Sequence, residues 1–176
     1  MSSTQEPSKL YVLGETSADE KIDTAEENAN VAISLAEQAR YSLAIFSQDL
    51  DARVYDNPEF ERRVFDLARR NPSTQIRILT LDSTDAVRSG HCLVRLAQTL
   101  TSSVFIRNPS PAHRDESSEF LLADGIGLLY RNRGAHNHYE ASFNFMSPQR
   151  ASQLEAFFNN AWESGTPDPQ VRRLHI

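Results

Sequence analysis

The stretch SSEFLLADG, residues 117–125, has an apolar centre between two polar ends. Its apolar run, from Phe120 to Ala123, is long enough for a buried strand and too short for a helix. Asp124 and Gly125 follow directly, and this pair is typical of a turn at the end of a strand. We therefore predict a strand that ends in a turn, with Asp124 either as a turn residue or as part of a functional site.

Short apolar runs on both sides of this stretch predict further strands, with little helical pattern between them. They cover residues 104–106, 127–130 and 141–145. Ser147 and Pro148 then begin a final helix. Its apolar residues, from Ala151 to Trp162, recur at helical spacing and predict one buried face.

Upstream, strand and helix patterns alternate. Strands are predicted at residues 10–13, 41–46 and 76–79, and helices at about residues 20–40, at 58–70, and from Thr84 to Leu100. Helices between buried strands require crossover connections. The fold class predicted is α/β, with a mixed, mostly parallel β-sheet flanked by helices on both faces.

The composition favours one domain. The chain has 176 residues and a net charge of −6, and its basic residues are spread along the chain, so nonspecific nucleic-acid binding is not predicted. Cys92 is the only cysteine, which excludes an internal disulfide and favours the cytoplasm. No apolar run is long enough to cross a membrane. We expect a domain at residues 9–165 between a disordered tail at 1–8 and a C-terminal tail at 166–176.

Two spacings give the chain a resemblance to a known family. Ser117, Glu119 and Asp124 stand at the spacing of a His-x-Lys-x(4)-Asp motif, with Asp124 on the motif's Asp. His138 and Glu140 stand at the positions of an Asn-x-Glu signature. On these residues the chain resembles a bacterial, single-motif member of the phospholipase D superfamily. The resemblance extends over about residues 104–162 and includes the Phe-x(3)-Trp pattern that ends the last helix.

The resemblance implies a non-catalytic domain. In the family the His is the nucleophile and the Lys neutralises phosphate oxygens, whereas this chain has Ser117 and Glu119 there. It therefore implies a role in binding, assembly or regulation. Single-motif members pair two halves across a shared site, so a homodimer is also implied, with residues 131–140 near the seam. The alternative is an active phosphodiesterase or nuclease-type hydrolase with a rebuilt site, in which His91, His136 or His138 acts as acid or base.

Four residues after the motif could bind a phosphate-containing ligand. Guanidinium groups bind oxyanions in a bidentate manner and histidines add donors. A solvated loop is the alternative for the same residues. They are Arg131, Arg133, His136 and His138.

No metal or cofactor is predicted. The His136-x-His138 pair lacks a second pair of ligands. His91 and Cys92 fall within the predicted third helix, where neighbouring side chains point about 100° apart. A buried cysteine beside a boundary histidine is therefore the alternative to a nucleophilic pair. The acidic residues that follow the second strand could hold a cation, or could cap and solvate the loop; they are Asp49, Asp51 and Asp56.

Overall fold

The structure, a computed structural model, describes residues 10–134 and 137–172. The strands are β1 (Glu20–Ile22), β2 (Ser42–Ser47), β3 (Gln75–Thr80), β4 (Val104–Asn108), β5 (Ser118–Ala123), β6 (Gly127–Asn132), β7 (Ala141–Asn144) and β8 (Thr166–Pro167). The helices are α1 (Ala25–Gln38), α2 (Ala52–Tyr55), α3 (Pro58–Arg70), α4 (Thr84–Ser89), α5 (Cys92–Thr99) and α6 (Pro148–Glu163).

All of these strands belong to one sheet, with the order β1-β7-β6-β5-β2-β3-β4-β8. β2, β3 and β4 are parallel, because helical crossovers connect them. Every other neighbouring pair is antiparallel. The α/β class and the mixed sheet are confirmed, but the parallel pairing extends only over β2, β3 and β4 rather than over most of the sheet.

Capping residues explain where the helices begin and end. The Asn57 side chain accepts a hydrogen bond from the Phe60 N–H at 2.8 Å, and Pro58 occupies the first turn, so α3 has its predicted bounds. The predicted third helix is instead two helices. Gly90 has a left-handed φ of 69° and ends α4. His91 is consequently the N-cap of α5 and does not lie inside a helix.

The two faces of the sheet bury separate apolar clusters, because successive side chains of a strand point to opposite faces. Leu43 and Ile45 of β2 belong to the cluster beneath α1, α3 and α5. Ala44 and Phe46 belong to the cluster beneath α6, which includes Phe158. Helices on both faces were predicted and are confirmed.

The chain ends differ from the prediction. Residues 10–13 form no strand, because their backbone groups bond elsewhere: the Leu13 N–H donates to the Gln38 side chain, and the Val12 carbonyl accepts the N–H groups of Glu15 and Thr16. The first strand, β1, lies where the first helix was predicted to begin. Residues 166–172, predicted as a tail, pack on the domain, where β8 pairs with β4 and Val171 is buried. The predicted tail at 1–8 lies outside the described residues. Within the described part of the chain, no helix is long and apolar enough to cross a membrane.

Candidate functional site at the carboxyl end of β2

Glu119, at the Lys position of the motif, lies where β5 meets the end of β2. The antiparallel register pairs Phe46 with Phe120, which places Glu119 beside Ser47. The β5–β6 hairpin places Arg131 directly opposite Glu119. The carboxyl ends of strands are where open α/β sheets usually bind ligands. The fold therefore brings a motif position and a predicted anion-binding residue to the expected edge of the sheet.

The Glu119 carboxylate is buried and has partners on both oxygens. Its Oε1 accepts hydrogen bonds from the Ser47 hydroxyl at 3.0 Å and from the Gln48 backbone N–H at 2.7 Å. Its Oε2 pairs with the Arg131 guanidinium. Only 2% of Glu119 is exposed, and a buried carboxylate is tolerated when such charge-assisted bonds compensate it. Glu119 is thus an internal anion where the family motif has a cation.

Arg131 is the buried cation of this cluster, with 4% exposed. Besides Glu119, it contacts the Asp51 Oδ2 at 3.4 Å, and its guanidinium carbon lies 5.2 Å from the centre of the Tyr139 ring. Burial acts to lower the pKa of Arg131, but the Glu119 carboxylate and its neighbours outweigh burial and raise it. Both carboxylates are therefore bound to a guanidinium that is charged.

Arg133 lies at the rim of the same cluster. It donates to the Gln48 side-chain oxygen at 2.6 Å, and it is 3.7 Å from both the Asp49 Oδ1 and the Glu119 Oε1. The Asp49 Oδ1 is buried and has no hydrogen-bond partner among the described residues. Burial raises the pKa of Asp49, and Arg133 opposes that effect. The two predicted anion-binding arginines thus converge, but on carboxylates of the chain itself.

His138 is half-exposed beside this cluster. Its Nε2 lies 3.9 Å from the Asp51 Oδ2. It borders an open cleft of about 430 Å³, whose other ionisable lining residues are Asp49, Asp51, Asp85, His91 and Tyr139. An imidazole next to a carboxylate is an arrangement that can transfer protons.

Asp124 lies at the opposite end of β5, away from Glu119. Its carboxylate accepts hydrogen bonds from the backbone N–H groups of Arg40, Tyr41 and Ser42 at 2.8–3.2 Å. Its backbone φ of 55° is left-handed, a conformation that Asp adopts more readily than most residues. The position therefore has the geometry of a turn residue that anchors the start of β2.

The other motif positions do not join the Glu119 cluster. Ser117 is exposed, and its backbone carbonyl accepts the Arg133 N–H at 3.0 Å. Glu140 is exposed and lines a hollow beside β1 with Lys21 and Asp23. His136 lies outside the described residues, so its role stays a prediction.

His91 and Cys92 have separate structural roles. The His91 Nδ1 accepts the Leu93 N–H at 3.1 Å, and burial lowers the pKa of His91. The Cys92 thiol donates to the Tyr55 carbonyl at 3.2 Å, and burial raises the pKa of Cys92 to about 12. Asp56 accepts the Cys92 N–H. One possible metal-ligand atom from each of Asp56, His91 and Cys92 lies within 4.8 Å of the others. The bonds from the Leu93 and Cys92 N–H groups cap the start of α5. A histidine that binds a metal through one ring nitrogen usually donates a hydrogen bond from the other, whereas the His91 Nδ1 accepts one.

Sequence reasoning missed two residues at the end of β2 that complete the cluster, Ser47 and Gln48, which bind Glu119. Asp51 was predicted only to hold a cation or to cap the loop, and it both binds Arg131 and caps α2 through the Arg53 N–H. The available signal was their position, since they directly follow a buried strand. Their link to residue 119 depends on strand order, which local patterns do not contain.

A family model described as "Domain of unknown function (DUF7931)" matches residues 24–174 of the chain. No curated protein matches it by sequence.

Solved structures with similar folds include phospholipase D proteins. Nuc from Salmonella typhimurium, a phospholipase D family member, aligns with a TM-score of 0.61 at 12% identity over 86% of this chain and 97% of Nuc. NucT from Helicobacter pylori aligns with a TM-score of 0.63 at 12% identity, over 86% of this chain and 99% of NucT. At these identities the likeness shows the fold alone, and the predicted phospholipase D-like fold is confirmed.

TrmBL2, an archaeal chromatin protein whose structure shows a novel mode of DNA binding, aligns with a TM-score of 0.65 at 12% identity. The alignment covers 94% of this chain and 56% of TrmBL2, so this chain spans little more than half of that protein.

Proposed function

The chain belongs to the DUF7931 family, a domain family of unknown function, and we propose that it is a catalytically degenerate phospholipase D-like domain that acts in binding, assembly or regulation. The observation that carries the proposal is the buried Glu119–Arg131 ion pair. A phosphodiester needs cationic groups to neutralise its oxygens in the transition state. Here the carboxylates of Glu119, Asp49 and Asp51 already lie against Arg131 and Arg133.

The proposal favours a protein partner over a phosphate-containing ligand. Arg131 is buried and paired, so an incoming phosphate would have to displace Glu119 or Asp51. Arg133 is the more accessible of the two arginines, and it also has partners. A homodimer with residues 131–140 near its seam and a cytoplasmic location are parts of the same proposal.

An active hydrolase with a rebuilt site is the second candidate. The observation that favours it is the half-exposed His138 beside Asp51, on an open cleft at the usual ligand-binding edge of the sheet. In this candidate His138 would act as general acid or base, with Asp51 orienting its ring.

Hydrolysis assays separate the two candidates. The substrates are a chromogenic phosphodiester, nucleic acid and phospholipid vesicles, and the proteins are the wild type, His138→Ala, His136→Ala, His91→Ala and, as a control, His113→Ala. We expect no turnover above the buffer rate by any of them. If the wild type and His113→Ala hydrolyse a substrate and His138→Ala does not, the proposal of a catalytically degenerate domain is overturned and the hydrolase is established.

The oligomeric state is measured separately by light scattering at micromolar concentration. We expect a dimer. A strictly monomeric protein would remove the dimer from the proposal and leave the hydrolysis result unaffected.

A further inference from the structure

The α6 face of the sheet is covered less completely than the opposite face. Among the described residues, α6 is the only helix that contributes to the apolar cluster on its face, and β4 contributes no residue to that cluster. Successive side chains of β4 alternate between the faces, so Phe105 lies on the α6 face while Val104 and Ile106 lie beneath α5. Val104 and Ile106 are buried, whereas Phe105 is partly exposed.

Two guanidinium groups lie beside Phe105 on this face, and contacts with α6 place both of them against Trp162. The guanidinium carbon of Arg77 lies 5.7 Å from the centre of the Trp162 ring, and that of Arg107 lies 4.8 Å from it. Arg77 donates to the Asn159 side chain at 2.9 Å, and Arg107 donates to the Trp162 carbonyl at 3.0 Å. Arg77 and Phe105 are direct partners in the β3–β4 register. We call Arg77, Phe105, Arg107 and Trp162 the β3–β4 surface.

The two arginines of the β3–β4 surface can still bind an anion. Both are partly exposed, and among the described residues neither has a carboxylate oxygen within 4.0 Å. A guanidinium has five N–H donors, and each of these two uses one of them in the bonds to Asn159 and to the Trp162 carbonyl. Burial lowers the pKa of Arg77 more than the Glu155 carboxylate raises it, so that carboxylate does not compensate the charge of Arg77.

The chain that follows α6 holds Trp162 over this end of the sheet. It turns directly into β8, which pairs with β4. A Cβ on Gly165 would lie 2.6 Å from the Asn108 carbonyl oxygen, so the turn can approach β4 this closely only with glycine. Tryptophan and arginine are the residue types most enriched among those that contribute strongly to protein–protein binding. Side chains that are already ordered also lose little conformational entropy when a partner binds.

We propose that the β3–β4 surface binds a protein partner through a segment of that partner that is both acidic and apolar. This inference rests on the proposed role in binding and names the surface that performs it. Carboxylates of the segment pair with Arg77 and Arg107, and its apolar side chains cover Phe105 and the partly exposed Trp162 ring. A polyanion such as nucleic acid is disfavoured, because the chain has a net charge of −6 and the Trp162 ring already stacks on Phe158.

The test uses the full chain and a short blocked peptide of alternating glutamate and leucine. Trp162 fluorescence reports binding, because Trp162 is the only tryptophan of the chain, and calorimetry measures the affinity. The comparison ligands are the same peptide with glutamine in place of glutamate and a single-stranded oligonucleotide of equal charge. We expect saturable binding of the glutamate peptide, at least about tenfold tighter than that of the glutamine peptide, because only glutamate forms charge-assisted bonds.

The proposal is overturned if the glutamate peptide does not bind, or if the glutamine peptide binds as tightly. Tighter binding of the oligonucleotide would also overturn it, in favour of nucleic acid. Hydrolysis by the wild type would contradict the proposed function without affecting peptide binding, so the two proposals can fail separately.

The variants are Arg77→Gln and Arg107→Gln, and the matched control is Arg69→Gln. The Arg69 guanidinium carbon also lies near a ring, 5.4 Å from the centre of Phe65, but Arg69 belongs to α3, which covers the other face of the sheet. We expect each of the first two changes to weaken binding of the glutamate peptide by about tenfold, and Arg69→Gln to leave it unchanged. Arg107→Lys keeps the charge and should lose less than Arg107→Gln. Urea denaturation checks that each variant is folded, and equal losses in Arg107→Gln and Arg69→Gln would overturn the assignment of this surface.

Discussion

Two carboxylates at opposite ends of β5, those of Glu119 and Asp124, are stabilised by different kinds of partner. Glu119 is buried, and its strongest partner is the charged side chain of Arg131. Asp124 is bound by backbone N–H groups at the start of β2. The stability of the Glu119 carboxylate depends on the neighbouring side chains, whereas that of the Asp124 carboxylate depends on the path of the backbone.

Because their partners differ, the two motif positions indicate different things. Backbone N–H groups are present whatever the neighbouring side chains are, so an Asp that binds them contributes to folding and indicates no chemistry. A side chain at position 119 determines the charge of the whole cluster at the end of β2. Asp124 therefore supports the fold, whereas the function that we propose rests on Glu119.

The largest effect is expected for Glu119→Ala. The change leaves Arg131 buried with Asp51 as its remaining carboxylate partner, and it removes the acceptor of the Ser47 hydroxyl and the Gln48 N–H. Breaking a buried ion pair from one side costs about 3–5 kcal/mol. We expect a loss of about 3 kcal/mol in the free energy of unfolding, measured by urea denaturation.

The matched control replaces both partners, as Glu119→Leu with Arg131→Met. Replacing a buried pair by apolar residues of similar size is often close to neutral, because no charge is left without a partner. The double variant should therefore be more stable than Glu119→Ala. If Glu119→Ala unfolds with nearly the wild-type free energy, the ion pair is not what stabilises this end of β5.

Local patterns predicted much of the fold because each buried strand and each amphipathic helix has its own signal in a short stretch of sequence. The apolar run of β2 and the Asn57-Pro58 start of α3 each contain their own signal. The break at Gly90 was missed because apolar spacing continued across it, and φ is not visible in a pattern. The pairing of β8 with β4 was also missed, because a strand of two residues is too short to recognise in a pattern.

The candidate site was less predictable than the fold. The spacing of the motif identified Glu119 and Asp124 and suggested that both belong to one site. In the structure they lie at opposite ends of β5, so the length of the strand separates them. Arg131 was predicted to bind an external anion, because the sequence does not show that cross-strand pairing places it opposite Glu119. The contributions of Ser47 and Gln48 depend on the β2–β5 pairing, which is formed between distant parts of the chain.

A smaller effect is expected at the other end of β5, for Asp124→Ala. The change removes the acceptor of the N–H groups of Arg40, Tyr41 and Ser42 and places Ala at a left-handed φ. Water can reach part of this exposed turn, so we expect a loss of about 2 kcal/mol by urea denaturation. Asp124→Asn keeps one side-chain acceptor and tolerates the same φ, and it should lose about half as much. Equal losses in the two variants would show that the carboxylate bonds are not the cause.

The smallest effect concerns His91, another buried ionisable group near the Glu119 end of the sheet. Burial lowers the pKa of His91 in the folded protein from its ordinary value of 6.5. Below about pH 6.5 the unfolded chain therefore binds a proton that the folded protein does not, and stability falls as the pH decreases through this range. The contribution is fully present above pH 6.5. We expect a fall of about 1 kcal/mol between about pH 7.5 and 5.5, measured by urea denaturation at each pH.

His91→Asn isolates this contribution, because asparagine is a good N-cap and can still accept the Leu93 N–H that His91 accepts. Its stability should depend less on pH over the same range, whereas His113→Asn, at a partly exposed site on the other side of the sheet, serves as the control. Identical pH profiles for the wild type and His91→Asn would mean that the buried imidazole is not what distinguishes the folded from the unfolded state.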